Sequence, residues 1–436
     1  MNLKMTEIAL LCGVSTENID PDLVTGYSTD SRTIRKGDLF VPLIAERDGH
    51  DFISAALEAG AVGYLYSHGQ PNKKGIHVND TLAALQRLAI EAHNRLDAKT
   101  IGITGSVGKT TTKDMLHSCL SDERSTWASS GSFNNEIGVP LTILSAPVGT
   151  DFLIVEMGAR GVGHIHQLCL IAKPNVGVVT CIGNAHSEFF GGISQTVDAK
   201  GELIESLEKD DLAVLNYDDP NVRELGTRTS AEVLLYGIGG GEVIAENIAL
   251  DSELKASFDL RTPWGNSAIR LNIPGKHNIT NALAAAATAM HSKVSIAAVA
   301  SALESVEISP LRMEIFESAS GTLVINDAYN ANPLSMKAAL SALATSGRKH
   351  LVAVLGVMAE LGDDHISSHK EIGKIAKSND IDVISVNVKE YGGQVVKNID
   401  EAYHALENKL NDPQSTAVLL KGSRVVALEN LAKKIT

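Results

Sequence analysis

Short, continuous apolar runs followed by helical patterns constrain the fold of this chain more than any other feature of its sequence. Such runs occupy residues 100–104, 151–155, 176–182 and 212–215. A strand that is apolar on both faces is typical of a parallel sheet covered by helices on both sides. These runs therefore predict a central α/β domain built on a parallel sheet.

Regions with other patterns flank this central part. Residues 1–98 mix short strand patterns with helical ones, and a second alternating series of strands and helices follows residue 310. Between residues 232 and 274 apolar and polar side chains alternate, which predicts an antiparallel annex to the central domain. A chain of 436 residues is long enough for several domains. We predict an α/β protein of three domains: a small α/β domain (1–98), a central domain (99–310) and a doubly wound, Rossmann-like domain (311–436).

Charge and composition exclude several classes of protein. With 38 Lys and Arg residues against 52 Asp and Glu residues, the formal net charge is −14, which repels nucleic acid. Four cysteines without a C-x-x-C spacing indicate neither a zinc site nor a disulfide framework. Because no apolar run approaches the roughly 20 residues of a membrane span and no signal-peptide pattern is present, we expect a cytoplasmic protein without membrane insertion. We also expect a monomer.

The sequence TGSVGKTT at residues 104–111 carries the clearest chemical signal. It follows a predicted strand and precedes a helical pattern over residues 112–120. Glycines let backbone N–H groups converge on phosphate oxygens, while Lys109 can reach the terminal phosphates and Thr110 can ligate Mg²⁺. The predicted nucleotide-binding residues are Gly105, Ser106, Val107, Gly108, Lys109, Thr110 and Thr111.

This loop departs from the general phosphate-loop pattern G-x-x-x-x-G-K-[ST] at one position. The pattern requires glycine where Ile103 stands, and the nearest glycines are Gly102 and Gly105. The alternative is a plain glycine turn before a helix, with Lys109 as a solvated side chain. The order of strand, glycines, lysine and two threonines favours nucleotide binding.

Candidate metal ligands follow two of the predicted strands, at the edge where open α/β sheets bind ligands. Glu156 ends one apolar run and His186 follows another. A carboxylate at this edge can hold Mg²⁺, and a second such residue favours a metal site. The structural alternatives are a solvated charge for Glu156 and a hydrogen-bonded loop histidine for His186. Lys200, at the start of a predicted amphipathic helix, is a further candidate, although such a lysine is by default a surface charge.

Further motifs extend along nearly the whole chain. They are STDSR (28–32), GDLFV (37–41), DGHDF (48–52), NNEIGVP (134–140), VEMG (155–158), GKHNITNA (275–282), PLRME (310–314) and NDAYNANP (326–333). Together with the loop at 104–111 they resemble the motifs of the ATP-dependent Mur ligases of peptidoglycan synthesis. The loop pattern of that family, T-G-x-x-G-K-[ST]-[ST], does not require glycine at position 103. The resemblance implies a UDP-sugar-binding first domain and a P-loop ATPase as the central domain.

The resemblance implies ATP and two Mg²⁺ ions as cofactors. Thr110, Glu156 and His186 would be metal ligands. In the family a lysine fourteen positions after this histidine is carbamylated, and that position here is Lys200. Carbamylation converts an ammonium group into a carboxylate-like group that can reach a second Mg²⁺.

The resemblance also implies the remaining site residues. Asn278 and Asn281 would lie near adenine and the phosphates, and Arg312 and Asp327 at the ATP site between the central and C-terminal domains. Without the family, Arg312 is interpreted as a linker charge and Asp327 as a turn former at a strand end. The implied catalytic residues are Lys109, Lys200, His186, Asp327 and Arg312. The implied substrate-binding residues are Ser28, Asp30, Ser31, Arg32, Tyr329, Asn330 and Asn332.

Two features favour the branch of the family that adds a dipeptide. The D-N-P-R signature of the ligase that adds the third residue is absent, and KGSR at residues 421–424 resembles the dipeptide-adding branch. The implied reaction joins D-alanyl-D-alanine to UDP-N-acetylmuramoyl-tripeptide through an acyl phosphate and releases ADP. The third tripeptide residue is diaminopimelate or lysine. Alternatives are a diaminopimelate- or lysine-adding ligase, a folylpolyglutamate synthase, or a P-loop switch that only hydrolyses ATP.

Overall fold

The computed structural model of the chain describes residues 2–69, 72–183 and 192–435. Its α-helices are α1 Met5–Leu11, α2 Ile53–Glu58, α3 Thr81–Leu96, α4 Lys109–Ser121, α5 Gly138–Ser145, α6 His164–Ala172, α7 Ile193–Glu205, α8 Pro220–Glu224, α9 Asn278–His291, α10 Ile296–Ser305, α11 Pro333–Ala344, α12 His365–Ser378, α13 Ile399–Glu407 and α14 Glu429–Ile435. None of these helices in the described ranges is both long and apolar enough to cross a membrane.

The strands complete the alternating pattern. They are β1 Leu3–Lys4, β2 Leu23–Val24, β3 Gly26–Ser28, β4 Asp38–Phe40, β5 Gly63–Tyr66, β6 Gly75–His77, β7 Lys99–Thr104, β8 Thr126–Ala128, β9 Phe152–Glu156, β10 Val176–Val179, β11 Leu212–Asn216, β12 Glu232–Gly237, β13 Val243–Leu250, β14 Lys255–Thr262, β15 Gly265–Pro274, β16 Glu314–Glu317, β17 Leu323–Asn326, β18 His350–Leu355, β19 Ile381–Val386, β20 Gln394–Val396 and β21 Thr416–Lys421.

The chain divides into two compact units. The first comprises Met1–Gly102, Arg124–Gly158 and Ile165–Val176, and the second comprises Ile103–Glu123, Ala159–His164 and Gly177–Thr436. The chain passes from the first unit to the second within β7, directly before the loop at residues 104–111, which we call the glycine-rich loop. The loop and all of the C-terminal region therefore belong to the second unit.

The first unit contains a four-stranded parallel sheet in the order β3-β4-β5-β6. Phe40, Tyr64 and Tyr66 form a buried cluster with Ala56 of α2. Helix α3 begins after Asp80, because the carboxylate of Asp80 caps the helix by accepting two backbone N–H groups. Strands β8 and β9 of this unit also pair in parallel.

In the second unit, six strands of the central region lie in the order β15-β14-β13-β12-β11-β10. Strands β13, β14 and β15 pair antiparallel, which confirms the annex over most of its predicted range. Strand β12, at the start of that range, instead pairs in parallel with β11. The connection between β11 and β12 contains α8, and parallel pairing requires such a crossover.

The C-terminal region forms a six-stranded sheet in the order β16-β17-β21-β18-β19-β20. All of its pairs are parallel except that of β16 with β17. Leu340 of α11 and Ile372 of α12 belong to one buried cluster, and Leu406 of α13 and Leu431 of α14 belong to another. The two clusters cover opposite faces of the sheet, so the predicted doubly wound arrangement is confirmed.

Helix α7 differs from the sequence-based prediction. It begins at Ile193, so Lys200 lies within the helix and not at its start. Ala199, Leu203 and Ile204 are buried, and Lys200 is only 3% exposed. The interpretation of Lys200 as a surface charge is therefore wrong, because the helix turns this side chain towards the interior.

Candidate active site

The glycine-rich loop joins β7 to α4, and α4 begins at Lys109. Gly105 (φ +148°) and Gly108 (φ +83°) adopt backbone conformations that other residues rarely adopt. A Cβ atom at Gly105 would clash with Thr180 Oγ1, and one at Gly108 would clash with Asn281 Oδ1. Both positions therefore require glycine for space as well as for their dihedral angles.

Lys109 donates from Nζ to the carbonyl oxygen of Gly105 at 2.7 Å, which folds the side chain over the loop. A phosphate oxygen is a stronger acceptor for an ammonium group than a carbonyl oxygen is. Thr110 and Thr111 are buried in the first turn of α4, and the start of a helix offers N–H groups and a favourable dipole to an anion. The loop thus has the donors that a polyphosphate requires.

Residues after β10 anchor the loop. Thr180 Oγ1 donates to the carbonyl oxygen of Val107 at 2.6 Å, and Thr180 N donates to that of Thr104 at 3.0 Å. Ser106 Oγ donates to the carbonyl oxygen of Gly183 at 3.1 Å and accepts its N–H at 3.0 Å. Thr180 is not among the residues predicted from the sequence, although a hydroxyl residue inside the apolar run 176–182 is a signal for it.

Lys200 lies in a buried environment that disfavours its charge. Burial, and to a smaller extent repulsion from Lys109, lower the pKa of Lys200 to about 7, while Cys181 acts in the opposite direction. The neutral amine of lysine is nucleophilic, whereas the ammonium ion is not. Lys200 therefore has the protonation behaviour that carbamylation requires.

Glu156 ends β9 in the first unit and is 1% exposed. Its Oε1 accepts a hydrogen bond from Asn134 Nδ2 at 2.8 Å, and its backbone N donates to Ser129 Oγ at 3.3 Å. The interpretation of Glu156 as a solvated charge is therefore wrong. Asn134 belongs to the motif at 134–140, which gives that motif a role in orienting the carboxylate. His186 lies outside the described residues.

Arg312 reaches the glycine-rich loop from the segment that follows the central region. Its Nη2 donates to Thr110 Oγ1 at 2.9 Å, and its Cζ lies 4.1 Å from the centroid of the Tyr329 ring. Leu311 (φ +63°) and Met313 (φ +52°), on either side of it, adopt left-handed conformations. Arg312 Nε is buried and has no hydrogen-bond partner among the described residues. An unused donor beside this loop fits a phosphate oxygen, and a plain linker charge does not explain it.

Asp327 follows β17 and contacts the same segment. Its Oδ1 accepts the backbone N–H of Met313 at 3.2 Å, and its Oδ2 pairs with Lys421 Nζ at 2.5 Å. Lys421 ends β21, which lies next to β17 in the sheet. Lys421 belongs to the KGSR motif at 421–424, which by itself indicates a branch of the family and no role for the lysine, although a lysine at the end of a buried strand is a signal for one.

Three predicted substrate-binding residues lie in the loop between β17 and α11. Asn332 caps α11 by accepting the N–H of Ser335 at 2.9 Å, and its Nδ2 lies 3.5 Å from the carbonyl oxygen of Ser106. Asn330 offers its carbonyl oxygen to Lys421 Nζ at 3.0 Å, and Tyr329 supports Arg312. These contacts bring the loop to the glycine-rich loop, while a role in binding substrate stays a prediction.

Asn278 and Asn281 tie the start of α9 to α4. Asn281 Oδ1 accepts a hydrogen bond from Thr112 Oγ1 at 3.3 Å, and its Nδ2 donates to Asn278 Oδ1 at 2.8 Å. Asn278 Nδ2 in turn donates to the carbonyl oxygen of Pro274 at 2.7 Å. Both asparagines are buried, and Asn281 lies beside Gly108. Their contact with adenine stays a prediction.

The predicted UDP-sugar motif lies at the carboxyl end of β3 in the first unit. Ser28 Oγ donates to the carbonyl oxygen of Asp30 at 3.0 Å, and Ser31 begins a single 3-10 turn. Asp30 Oδ2 pairs with Arg32 Nη2 at 2.7 Å. Hydrogen bonds from Arg32 lower the pKa of Asp30 to about 2. Arg32 is exposed and oriented, so it can meet an anionic ligand.

Comparison with known proteins identifies the family. Residues 103–289 match a family profile described as Mur ligase middle domain, and residues 311–424 match one described as Mur ligase, glutamate ligase domain. UDP-N-acetylmuramoyl-tripeptide–D-alanyl-D-alanine ligase of Bacillus subtilis is 34% identical over 433 residues, which cover 95% of this chain and 93% of that protein. The chain belongs to the Mur ligase family.

Solved Mur ligase structures share this fold. The crystal structure of MurF from Acinetobacter baumannii gives a TM-score of 0.92 at 30% identity and covers 100% of this chain and 99% of that one. MurF ligase from Thermotoga maritima, solved in complex with ADP, gives 0.84 at 28% identity and covers 94% of this chain and 96% of that one. The family membership and the three-part α/β architecture predicted from the motifs are thus confirmed.

Proposed function

We propose that this Mur ligase joins D-alanyl-D-alanine to UDP-N-acetylmuramoyl-tripeptide, with release of ADP and phosphate, in peptidoglycan precursor synthesis. The observation that carries the proposal is the 34% identity with the Bacillus subtilis ligase of that name across 95% of this chain. A diaminopimelate-adding ligase and a folylpolyglutamate synthase of known structure are only 16% and 19% identical. Those two structures share the fold and carry no further argument for the alternative ligases.

ATP binds at the glycine-rich loop in this proposal. Lys109 exchanges the carbonyl oxygen of Gly105 for a phosphate oxygen, and the N–H groups at the start of α4 hold the others. Arg312, which already contacts Thr110 Oγ1 at 2.9 Å, brings a second cation and the unused Nε donor to the same place. Charge neutralisation of this kind dominates phosphoryl transfer.

The proposed reaction has two steps. A carboxylate oxygen of the tripeptide forms a bond to the γ-phosphorus of ATP while the bond to the bridging oxygen breaks, which yields an acyl phosphate and ADP. The amine of D-alanyl-D-alanine then attacks the acyl carbon and loses a proton, and the tetrahedral intermediate expels phosphate as the amide forms. The reaction needs no protein nucleophile, so the residues act by binding, orientation and exclusion of water.

The residues present fit Mg²⁺. The hydroxyl of Thr110 and the buried carboxylate of Glu156, which Asn134 holds in place, are oxygen donors of the type that Mg²⁺ prefers. Carbamylated Lys200 would add a third, and His186 stays a predicted ligand. When bound, Mg²⁺ would neutralise charge on the phosphates.

Carbamylation of Lys200 needs no reactant other than CO₂. The neutral amine nitrogen forms a bond to the carbon of CO₂ and releases one proton, which leaves an anionic carbamate. The buried position and the low pKa of Lys200 support this step.

We also propose the domain limits 1–98, 99–310 and 311–436, a cytoplasmic location and a monomeric state.

The test is mass spectrometry of the nucleotide-linked product. The chain is incubated with MgATP, D-alanyl-D-alanine and UDP-N-acetylmuramoyl-tripeptide that carries either diaminopimelate or lysine. We expect a UDP-linked pentapeptide and stoichiometric ADP, and no product from Lys109→Ala. Single amino acids or glutamate in place of the dipeptide test the other ligases. ADP release without any extended peptide would support the P-loop switch and contradict the proposal.

A further inference from the structure

Lys421 is buried at the end of β21 with 1% of its surface exposed, an unusual position for a lysine. Its Nζ pairs with Asp327 Oδ2 at 2.5 Å and lies 3.0 Å from the carbonyl oxygen of Asn330 and 3.4 Å from that of Asp327. An ammonium group has three donors, and three acceptors surround this one. An ammonium group held by three acceptors keeps one position, and it keeps those acceptors in place as well.

The acceptors of Lys421 belong to one loop, which follows β17 and leads to α11. Strands β17 and β21 are parallel neighbours, with Asn326 opposite Leu420. Asp327 N donates to the carbonyl oxygen of Leu420 at 2.9 Å, so the backbone already aligns the two strand ends. Lys421 extends this alignment from the backbone to the side chain of Asp327 and to the middle of the loop.

Contacts continue from this loop to the glycine-rich loop. Asp327 Oδ1 accepts the N–H of Met313 at 3.2 Å, and the residue before Met313 is Arg312. Tyr329 N donates to the carbonyl oxygen of Leu311 at 3.1 Å, and the Tyr329 ring lies under the Arg312 guanidinium. Arg312 then contacts Thr110 Oγ1.

We infer that Lys421 is a positioning residue for the nucleotide site: it holds the Asp327 carboxylate in place, and through Asp327 it holds Arg312 against the glycine-rich loop. The inference rests on the proposed role of Asp327 and Arg312 in binding the nucleotide. Lys421 itself does not touch the reacting atoms. Its loss leaves a carboxylate without its cation and releases the turn that carries Arg312.

The experiment is a double-mutant cycle with MgADP as the probe. Wild type, Lys421→Met, Asp327→Asn and the double variant are titrated with MgADP by calorimetry, and KM for ATP and kcat are measured separately. We expect Lys421→Met to weaken MgADP binding about tenfold and to raise KM for ATP more than it lowers kcat. We expect the double variant to bind within about twofold of Asp327→Asn alone, because Lys421 acts through that carboxylate.

Lys409→Met is the matched control. Lys409 follows α13 and pairs at 2.8 Å with Asp382, which lies on β19 of the C-terminal sheet. The Lys409 side chain is partly exposed. Its removal should leave MgADP binding unchanged.

The outcomes separate the inference from the proposed function. If the wild type binds MgADP and Lys421→Met binds it equally well, the inference alone is overturned. A double variant that binds MgADP about tenfold more weakly than Asp327→Asn overturns it as well. A wild type that binds no MgADP overturns the proposed function and the inference with it. If Lys421→Met alone does not fold, the double variant carries the test, because removal of both charges leaves no unpaired charge.

Discussion

Gly108 takes a φ of +83° directly before α4, and Gly149, in a loop of the first unit, takes nearly the same φ of +85°. A side chain at Gly108 meets Asn281, whereas one at Gly149 meets nothing within 4 Å. Alanine at either position costs about 1 kcal/mol of stability for the left-handed backbone. We expect Gly108→Ala alone to lower kcat/KM for ATP, by about tenfold or more, since roughly 1.4 kcal/mol in the transition state has that effect.

The two alanine variants are compared by steady-state kinetics and urea unfolding. Because both share the same backbone strain, the difference between them isolates the contact with Asn281. Equal turnover in the two variants would show that the close contact between Gly108 and Asn281 does not matter for nucleotide binding, and it would contradict the prediction.

Lys200 gives a pH-dependent prediction. A lysine with a pKa of about 7 is about half neutral at pH 7, whereas an ordinary lysine is neutral to roughly 0.04%. At fixed dissolved CO₂ the initial rate of carbamylation, which follows the neutral fraction, should therefore increase from pH 6 to pH 8 and then level off. An ordinary lysine would continue to gain reactivity up to pH 10. The measurement is the initial build-up of the carbamate signal in ¹³C NMR after addition of ¹³CO₂, and Lys200→Met should remove the signal. A signal that persists in Lys200→Met, or an initial rate that still rises steeply at pH 9, would contradict the prediction.

The sequence predicts some site residues and not others for a definite reason. Lys109 and Thr110 act within a local turn, so their spacing from the glycines identifies them. Lys421 and Asp327 are 94 residues apart, and only the order of β17 and β21 in the sheet brings them together. No local pattern contains that order.

The turn between β13 and β14 is the clearest case in which an element depends on tertiary packing. Leu254 ends this turn in a left-handed conformation (φ +61°), and its side chain is 2% exposed in the same buried cluster as Leu340 of α11. Asp251 holds the turn by accepting the N–H groups of Glu253 and Lys255, both at 2.9 Å. Burial of the leucine side chain therefore offsets the strain of its backbone.

At position 254 we expect the glycine variant to be more stable than the alanine variant, the reverse of their order inside a helix. Leu254→Ala loses the buried side chain and keeps the strain, at a cost of about 2–5 kcal/mol. Leu254→Gly loses the same contacts and relieves the strain, so we expect it to be about 1 kcal/mol more stable than the alanine variant. At Leu340, inside helix α11, glycine should instead be about 1 kcal/mol worse than alanine. Urea unfolding of the four variants checks the order, and glycine equal to or worse than alanine at position 254 would count against it.

Elements with strong local signals follow the sequence closely, and the others do not. Helix α9 covers residues 278–291 and β5 covers residues 63–66, as their Ala-rich and apolar patterns predict. No pattern predicts helix α5, and α6 is predicted only as a helix without stated bounds after the apolar run 151–155. Helix α7 begins before the amphipathic pattern around Lys200 does. Ile193, Ser194 and Gln195 at its start are exposed, so no buried apolar periodicity marks this turn in the sequence.

At the scale of the whole molecule, the contacts of the second unit couple three distant parts of the chain. Arg312 touches Thr110 at 2.9 Å, and Asn332 lies 3.5 Å from the carbonyl oxygen of Ser106. A nucleotide that binds the glycine-rich loop should therefore order residues 104–111, 311–313 and 327–333 together.

Hydrogen exchange with and without MgADP tests this coupling. We expect slower exchange in all three segments of the wild-type chain, with α13 as an internal reference that does not change. In Lys109→Ala the protection should disappear from all three segments at once, because they respond to one bound ligand and not to the loop alone. Protection confined to residues 104–111 would show that the C-terminal contacts do not sense the nucleotide, and it would remove Arg312 and Asp327 from the proposed site.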